Sequence, residues 1–179
     1  ILVGREVRSQ LLPAQPGVQF DRIPVVVTLA GQLRALPAVM VALDAQFHLA
    51  NLEGRRVLAA ADFYQGLFTT ALVPDEMLVR IDIPALPPGS GWSFHEFARR
   101  HGDYAIVGVA AVVQVGAGGR CTDTRLVYLS VGEGPTAAPK ATAALIGETP
   151  TPAAIAAAAK IAANEDIDPL GDIHASVAY

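Results

Sequence analysis

The period of the apolar positions changes several times along the chain, and each change predicts an element. Val25-Val26-Val27-Thr28-Leu29 is a short β-branched run, which reads as a buried strand. Residues 10–24 before it hold three prolines and a glycine without sustained periodicity, so they read as an irregular connection. In "LPAVMVALDAQF", Val39, Met40, Leu43 and Phe47 recur at spacings of one, three and four behind Pro37. Proline is acceptable in a first helical turn, so this pattern predicts a helix, or a helix leading into a strand. Gly54, followed by Arg55 and Arg56, predicts a hairpin between "QFHLANLE" and "RRVLAAADF", and "MLVRIDIP" alternates up to a proline stop.

The stretch "ALPPGSG", residues 85–91, carries two prolines and two glycines, and a domain boundary is expected there, dividing 1–85 from 86–179. Beyond it, "WSFHEFARR" alternates aromatic and polar residues like a half-buried strand. "IVGVAAVVQV" and "TRLVYLSV" flank the turn "GAGGRC" as an antiparallel pair would. These segments predict a three-stranded sheet. Two helices are expected after it: residues 139–146, closed by Gly147, and residues 152–164, opened by Thr151 with Pro152 in the first position.

Composition narrows the class. With 179 residues, 52% hydrophobic and 17% charged, the chain has ample material for a core, and a disordered chain is excluded. Charged or turn-forming residues cut every apolar run short of the ~18 residues needed to span a bilayer. The apolar surplus predicts contact with other subunits. A net charge of -4, with no basic cluster interleaved with aromatics, leaves nothing to neutralise a phosphate backbone, so no nucleic acid partner is expected. The single cysteine, Cys121, allows no internal disulfide and no cysteine zinc site, which points to a reducing compartment, the cytoplasm. The chain opens Ile1-Leu2-Val3 without an initiator methionine or a secretory signal, and reads as part of a longer one.

Candidate chemistry is sparse. His48, His95, His101 and His174 lie far apart in the sequence, with none of the spacings of a metal site. There is no nucleophile elbow and no phosphate-binding loop, and "GAGGR" reads as a hairpin turn. Glu165, Asp166 and Asp168 sit where a helix runs out and are expected to be a solvated face. Asp75 and Glu76 after Pro74 read as a turn, and Cys121 has no histidine partner to activate it. One cluster stands apart: "HEFARRHGDYAIVGVAAVVQV", residues 95–115, sets two arginines, histidines, a glycine and an aspartate at the mouth of the most hydrophobic strand. It is either a solvated turn or a ligand-facing loop on a rigid scaffold, and the residues alone leave both open.

"DFYQGLFTTALVPDEMLVRIDIP", residues 62–84, followed by "FARRHGDYAIVGVAAVV", resembles the FAD-binding middle subunit of the molybdenum hydroxylases, the carbon monoxide dehydrogenase and xanthine dehydrogenase family. The shared features are a phenylalanine and glycine before "TTAL", a Pro-Asp-Glu turn, a strand ending in proline, and an Arg-x-Gly-Asp-aromatic-Ala-Ile loop. The resemblance runs through "GEGPTAAPKATAALIG" and "DPLGDIHASVAY" and covers residues 36–179. It implies an α+β fold: a remnant of the second FAD-binding lobe in 1–85, then a C-terminal lobe in 86–179 with a three-stranded antiparallel sheet and packed helices.

The implied cofactor is FAD, and the residues it carries over as cofactor-binding are Thr28, Leu29, Ala30, Leu36, Arg100, Asp103, Tyr104 and Ile106. The implied role is to pass electrons from iron–sulfur clusters through FAD to an acceptor. The implied partners are a molybdenum cofactor-binding large subunit, where substrate is oxidised, and an iron–sulfur small subunit. No catalytic residue and no metal ligand is expected on this chain.

The sequence also departs from the family. Of the family's two glycine-rich loops the first is absent. The second, of the type Gly-Gly-Ser-Leu-Ala, corresponds to Val26-Val27-Thr28-Leu29-Ala30. Valine obstructs the close approach of backbone N–H groups to a pyrophosphate that glycine permits. The family's Asp-Pro segment is missing, and the chain stops at Tyr179 where members continue, so both ends read as truncated. The isolated chain is therefore expected to be inactive and to hold FAD weakly or not at all. The alternative is a non-catalytic, degenerate fragment with an assembly role or none.

Overall fold

A computed structural model describes residues 35–100, 103–169, 171, 173 and 175–179. The expected strand at 25–29, with Thr28, Leu29 and Ala30, and the connection at 10–24 lie outside the described residues.

The apolar pattern after Pro37 resolves into both of its readings. Helix α1 (Ala35–Ala42) carries Val39 and Met40, and strand β1 (Gln46–Ala50) carries Phe47. Asp44, in the left-handed region at φ 56°, makes the corner between them. Strand β2 (Arg55–Ala59) pairs antiparallel with β1, as Gly54 predicts. The turn is held by Asn51, whose Oδ1 accepts the N–H groups of Glu53 and Gly54 at 3.0 and 2.9 Å. A single turn of helix, α2 (Ala60–Phe63), leads to the small hairpin β3 (Tyr64–Gly66) and β4 (Thr69–Thr70). Strand β5 (Met77–Asp82) then returns to the free side of β1, giving the order β2-β1-β5.

Phe47 and Leu49 point from the middle strand into a cluster with Met40, Ala45, Ala60 and Phe63. The Phe47 ring meets Phe63 edge-on at 4.7 Å and Tyr64 at 5.9 Å, the arrangement that ring quadrupoles favour. Burial pushes the Tyr64 hydroxyl up to about 12.

The expected turn at Asp75 and Glu76 is present, and Glu76 has a task in it. Arg56 of β2 grips its carboxylate with two donors, at 2.7 Å each, and gives a third hydrogen bond to the Ala71 carbonyl. Glu76 also accepts the Val73 N–H at 3.1 Å. Together these bonds, with Arg56 contributing most, hold the Glu76 carboxyl down at about 2, against an ordinary 4.5. A carboxyl depressed by folding stabilises the fold above its unfolded value, and that contribution fades as pH falls through the folded one. Acid titration of stability should therefore steepen between these two values, and Glu76→Gln should flatten that limb. A variant with an unaltered acid limb in urea melts would contradict it.

In the second lobe, β6 (Ser90–Phe97), β7 (Val107–Val115) and β8 (Cys121–Leu129) form the expected antiparallel set. A fourth strand, β9 (Thr136–Ala137), joins the outer side of β8. The expectation of three strands is thus one short, since two residues are too few to show an alternation. Residues 90 and 91, expected in the linker, already belong to β6. The linker glycine that matters is Gly89: its φ is +82°, and an added Cβ would lie 2.7 Å from the Val115 carbonyl oxygen.

One face of this sheet, with Ala110, Val112, Val127 and Leu129, packs on Ala35, Ala38 and Ala42 of α1. Helix α1 thus serves two cores at once, presenting alanines to this sheet and Met40 to the first. On the opposite face Leu126 and Tyr128 meet helices α3 (Pro139–Leu145) and α4 (Pro152–Ile161). Gly147 is left-handed at φ 82°, and Thr151 Oγ1 accepts the Ala154 N–H at 3.2 Å, so both expected caps are in place.

The second helix was expected to run to residue 164, but its end is a π turn, Ala162–Asp166. That turn carries Asp166 to the start of α3, where its carboxylate accepts the N–H groups of Lys140 and Ala141 at 3.0 and 2.8 Å. Ala138, the residue before α3, has no side chain able to cap, so Asp166 satisfies donors that a helix start leaves open. Asp166 thus corrects the expectation of a solvated carboxylate face by capping a helix, while Glu165, paired with Lys140 at 3.2 Å, and Asp168 are exposed as expected. Asp166→Ala should destabilise the chain by about 1 kcal/mol, within the ~0.5–2 kcal/mol range for lost caps. A urea midpoint equal to that of the unsubstituted chain would contradict the capping role.

Candidate functional site

Strands β6 and β7 pair along their length up to Phe97 opposite Val107, so the polar cluster of the sequence falls in the loop that joins them. The loop is closed at its root, where the Ile106 N–H donates to the Phe97 carbonyl at 2.7 Å. A second bond runs from the Asp103 N–H to the Arg100 carbonyl at 3.1 Å. The Asp103 carboxylate accepts the Tyr104 N–H at 2.9 Å, which holds the Asp103 side chain against the backbone.

Burial sorts these residues by chemistry. Arg100 and Asp103 are exposed, and Tyr104 is 66% exposed, a large flat side chain held in solvent. Ala105 packs into the cluster that contains Ala35 and Ala38 of α1, and Ile106 is half-buried. Leu36, in the first turn of α1, is 37% exposed beside Ala35, a member of the same cluster. Of these residues, Ala105 is the one packed against the cluster of α1 and the sheet, while Leu36 follows Ala35 of that cluster in the chain. Thr28, Leu29 and Ala30 are not among the described residues.

Of the residues that the resemblance carries over, those it assigns to the ring end of an FAD site are among the described ones. An exposed aromatic face beside a carboxylate, backed by apolar side chains, suits a planar electron-accepting ring. The residues corresponding to the pyrophosphate-binding loop lie in the undescribed part of the chain. Among the described residues no group of three or more metal-ligating side chains gathers, and no helix is long and apolar enough to cross a membrane. His48 is engaged elsewhere: its Nε2 lies 2.8 Å from the Asp82 carboxylate, which Arg80 also grips. Sequence reasoning gave no role to Phe97. Its place at the loop root follows from strand register, which a single sequence does not display.

Two protein families match the chain in succession. Residues 27–86 match the FAD binding domain in molybdopterin dehydrogenase, and residues 92–179 match the CO dehydrogenase flavoprotein C-terminal domain. The chain belongs to the FAD-binding middle-subunit family of the molybdenum hydroxylases.

Among curated members of that family, subunit alpha of the 6-hydroxypseudooxynicotine dehydrogenase complex of Paenarthrobacter nicotinovorans is 38% identical over 144 residues, 80% of this chain and 48% of the relative. The carbon monoxide dehydrogenase medium chain of Afipia carboxidovorans is 39% identical over 112 residues, 63% of this chain and 38% of the relative. Among solved structures, CO dehydrogenase from Oligotropha carboxidovorans superposes with a TM-score of 0.73 at 33% identity, covering 80% of this chain and 50% of that one. Quinoline 2-oxidoreductase from Pseudomonas putida 86 gives 0.73 at 36% identity, covering 83% and 51%. The mixed α and β architecture with antiparallel sheets is therefore the family's. The chain spans about half the length of the relatives it matches.

Proposed function

We propose that this chain contributes the ring-facing part of the FAD site in a molybdenum hydroxylase. In that assembly electrons pass from iron–sulfur clusters of a small subunit through FAD to an acceptor. Substrate is oxidised on a molybdenum cofactor-binding large subunit. Residues 1–85 would be a partial FAD-binding domain and residues 86–179 the C-terminal flavoprotein domain, working in the cytoplasm, which the lone buried Cys121 supports.

The observation that carries the reading is the braced loop that holds Tyr104 in solvent next to Asp103. When bound, FAD supplies reversible electron uptake at its ring system. Tyr104 and Ile106 cover the ring and keep water from it, with Leu36 completing the apolar border. Asp103 sets the local charge, and Arg100 is the cation at the turn. This division of labour assigns no catalytic acid, base or nucleophile to this chain and puts substrate oxidation on another subunit.

One feature favours the alternative of a non-catalytic fragment: Val26 and Val27 stand where the resemblance places glycines. Titrating the purified chain with FAD separates the readings. The proposal expects weak, saturable binding that does not survive gel filtration and that Tyr104→Ala weakens by about 3- to 10-fold, as an aromatic contact of ~0.5–1.5 kcal/mol implies. No saturable binding, or binding indifferent to Tyr104→Ala, would favour the fragment. A flavin spectrum retained through gel filtration would show that the valines do not obstruct the site.

A further inference from the structure

The loop between β6 and β7 is held from two sides, and one of the holders comes from the far end of the chain. On the first side, Ala105 packs into the cluster beneath α1. The second side follows from register. Phe97 lies opposite Val107; further along, His95 faces Val109 and Val109 faces Tyr128. Directly paired residues share a sheet face, so Phe97 stands on the face of Tyr128, the one that carries α3 and α4.

On that face the chain leaves the π turn with Ile167 packed on the α3 and α4 cluster. It ends in a turn closed by the Tyr179 N–H to the Ser176 carbonyl at 3.1 Å. The Tyr179 ring then rests on Phe97, with centroids 6.3 Å apart and planes tilted by 47°. Phe97 is the residue whose carbonyl anchors Ile106. One residue thus joins the C-terminal tail to the loop root through its ring and to the loop's last residue through its backbone.

We infer that Tyr179 is a positioning residue for residues 103–106: by bracing Phe97 it fixes the pose in which Tyr104 is exposed and Ile106 half-buried. The inference rests on the flavin reading only for what the pose is used for; the bracing itself does not. The contact is an aromatic pair in which Phe97 is 49% and Tyr179 73% exposed, worth at most a few-fold to about tenfold in local opening. Its loss should therefore loosen the loop and leave the sheet intact.

The test is amide hydrogen exchange by NMR on the full chain, carried as Tyr179→Ala and Tyr179→Phe. In the alanine variant the Ile106 and Asp103 amides should exchange about 3- to 10-fold faster, while those of Ala111 and Val127 in mid-sheet stay as they were. The phenylalanine variant keeps the ring and should restore the slow exchange. An Ile106 amide unmoved by Tyr179→Ala, or one that speeds up only together with Ala111 and Val127, would overturn the inference. FAD titration of the same variants separates the two ideas. Faster loop exchange with weaker FAD binding supports both, whereas faster exchange with unaltered FAD binding keeps the brace and removes the flavin role of the loop.

Discussion

Phe47→Ala should cost the chain about 3–5 kcal/mol of stability, the range for emptying a buried phenylalanine site. The side chain is 1% exposed, lies on the middle strand of the β2-β1-β5 sheet, and meets Phe63 and Tyr64 edge-on. Its neighbours are held by β1, α2 and β3, so the cavity cannot close without moving three elements. Domains of this size are stable by only ~5–15 kcal/mol, so the loss is a large share of the whole. It should also reach the second lobe, because α1 packs Met40 into the Phe47 cluster and its alanines under Ala110 and Leu129. Phe68 is the internal control: it is 96% exposed at the tip of the β3–β4 hairpin, and Phe68→Ala should move stability by no more than about 0.5 kcal/mol. Urea melts of both variants check the contrast. Equal effects would mean that the Phe47 cluster is not the core of this lobe.

Elements with local signals were legible in the sequence. Gly54, the "GAGGRC" turn, Gly147 and Thr151 each mark a boundary by a local signal, and each boundary falls where the structure has it. What stayed hidden depends on partners distant along the chain. The Asp166 carboxylate caps a helix that begins 27 residues earlier, at Pro139, and a carboxylate at a helix end otherwise looks like solvated surface. Arg56 and Glu76 read as a strand charge and a turn charge, and only the fold brings them into a two-donor grip. The alanines of α1 carry no periodic signal strong enough to reveal a second core.

The site was legible to a similar degree. The order of polar and apolar residues in 95–115 announces a polar loop at a strand mouth, and the motif in 100–106 carries the family resemblance. Neither reveals that Phe97 closes the loop or that Tyr179 lies against it, since both facts depend on strand register and on the path of the tail.

The second large expected effect is on the flavin itself. In an assembled complex carrying this segment, Asp103→Ala should raise the flavin reduction potential, because removing a negative charge beside the ring makes adding electrons easier. An exposed charge pair is screened to about 0.2–1 kcal/mol, and for a two-electron couple 1.4 kcal/mol corresponds to about 30 mV, so the shift should be about 5–20 mV. Reoxidation by the acceptor should change in rate, while reduction by substrate, which the proposed function puts on the large subunit, should stay nearly constant. Stability should move by no more than about 0.5 kcal/mol, as for a surface group.

A redox titration of the flavin in the Asp103→Ala complex, paired with rapid-mixing kinetics of the two half-reactions, is the most direct test that this loop borders the flavin. The account predicts an upward potential shift with altered reoxidation only. An unchanged potential together with unchanged reoxidation would make residues 100–106 a solvated strand entry and take the site away from them.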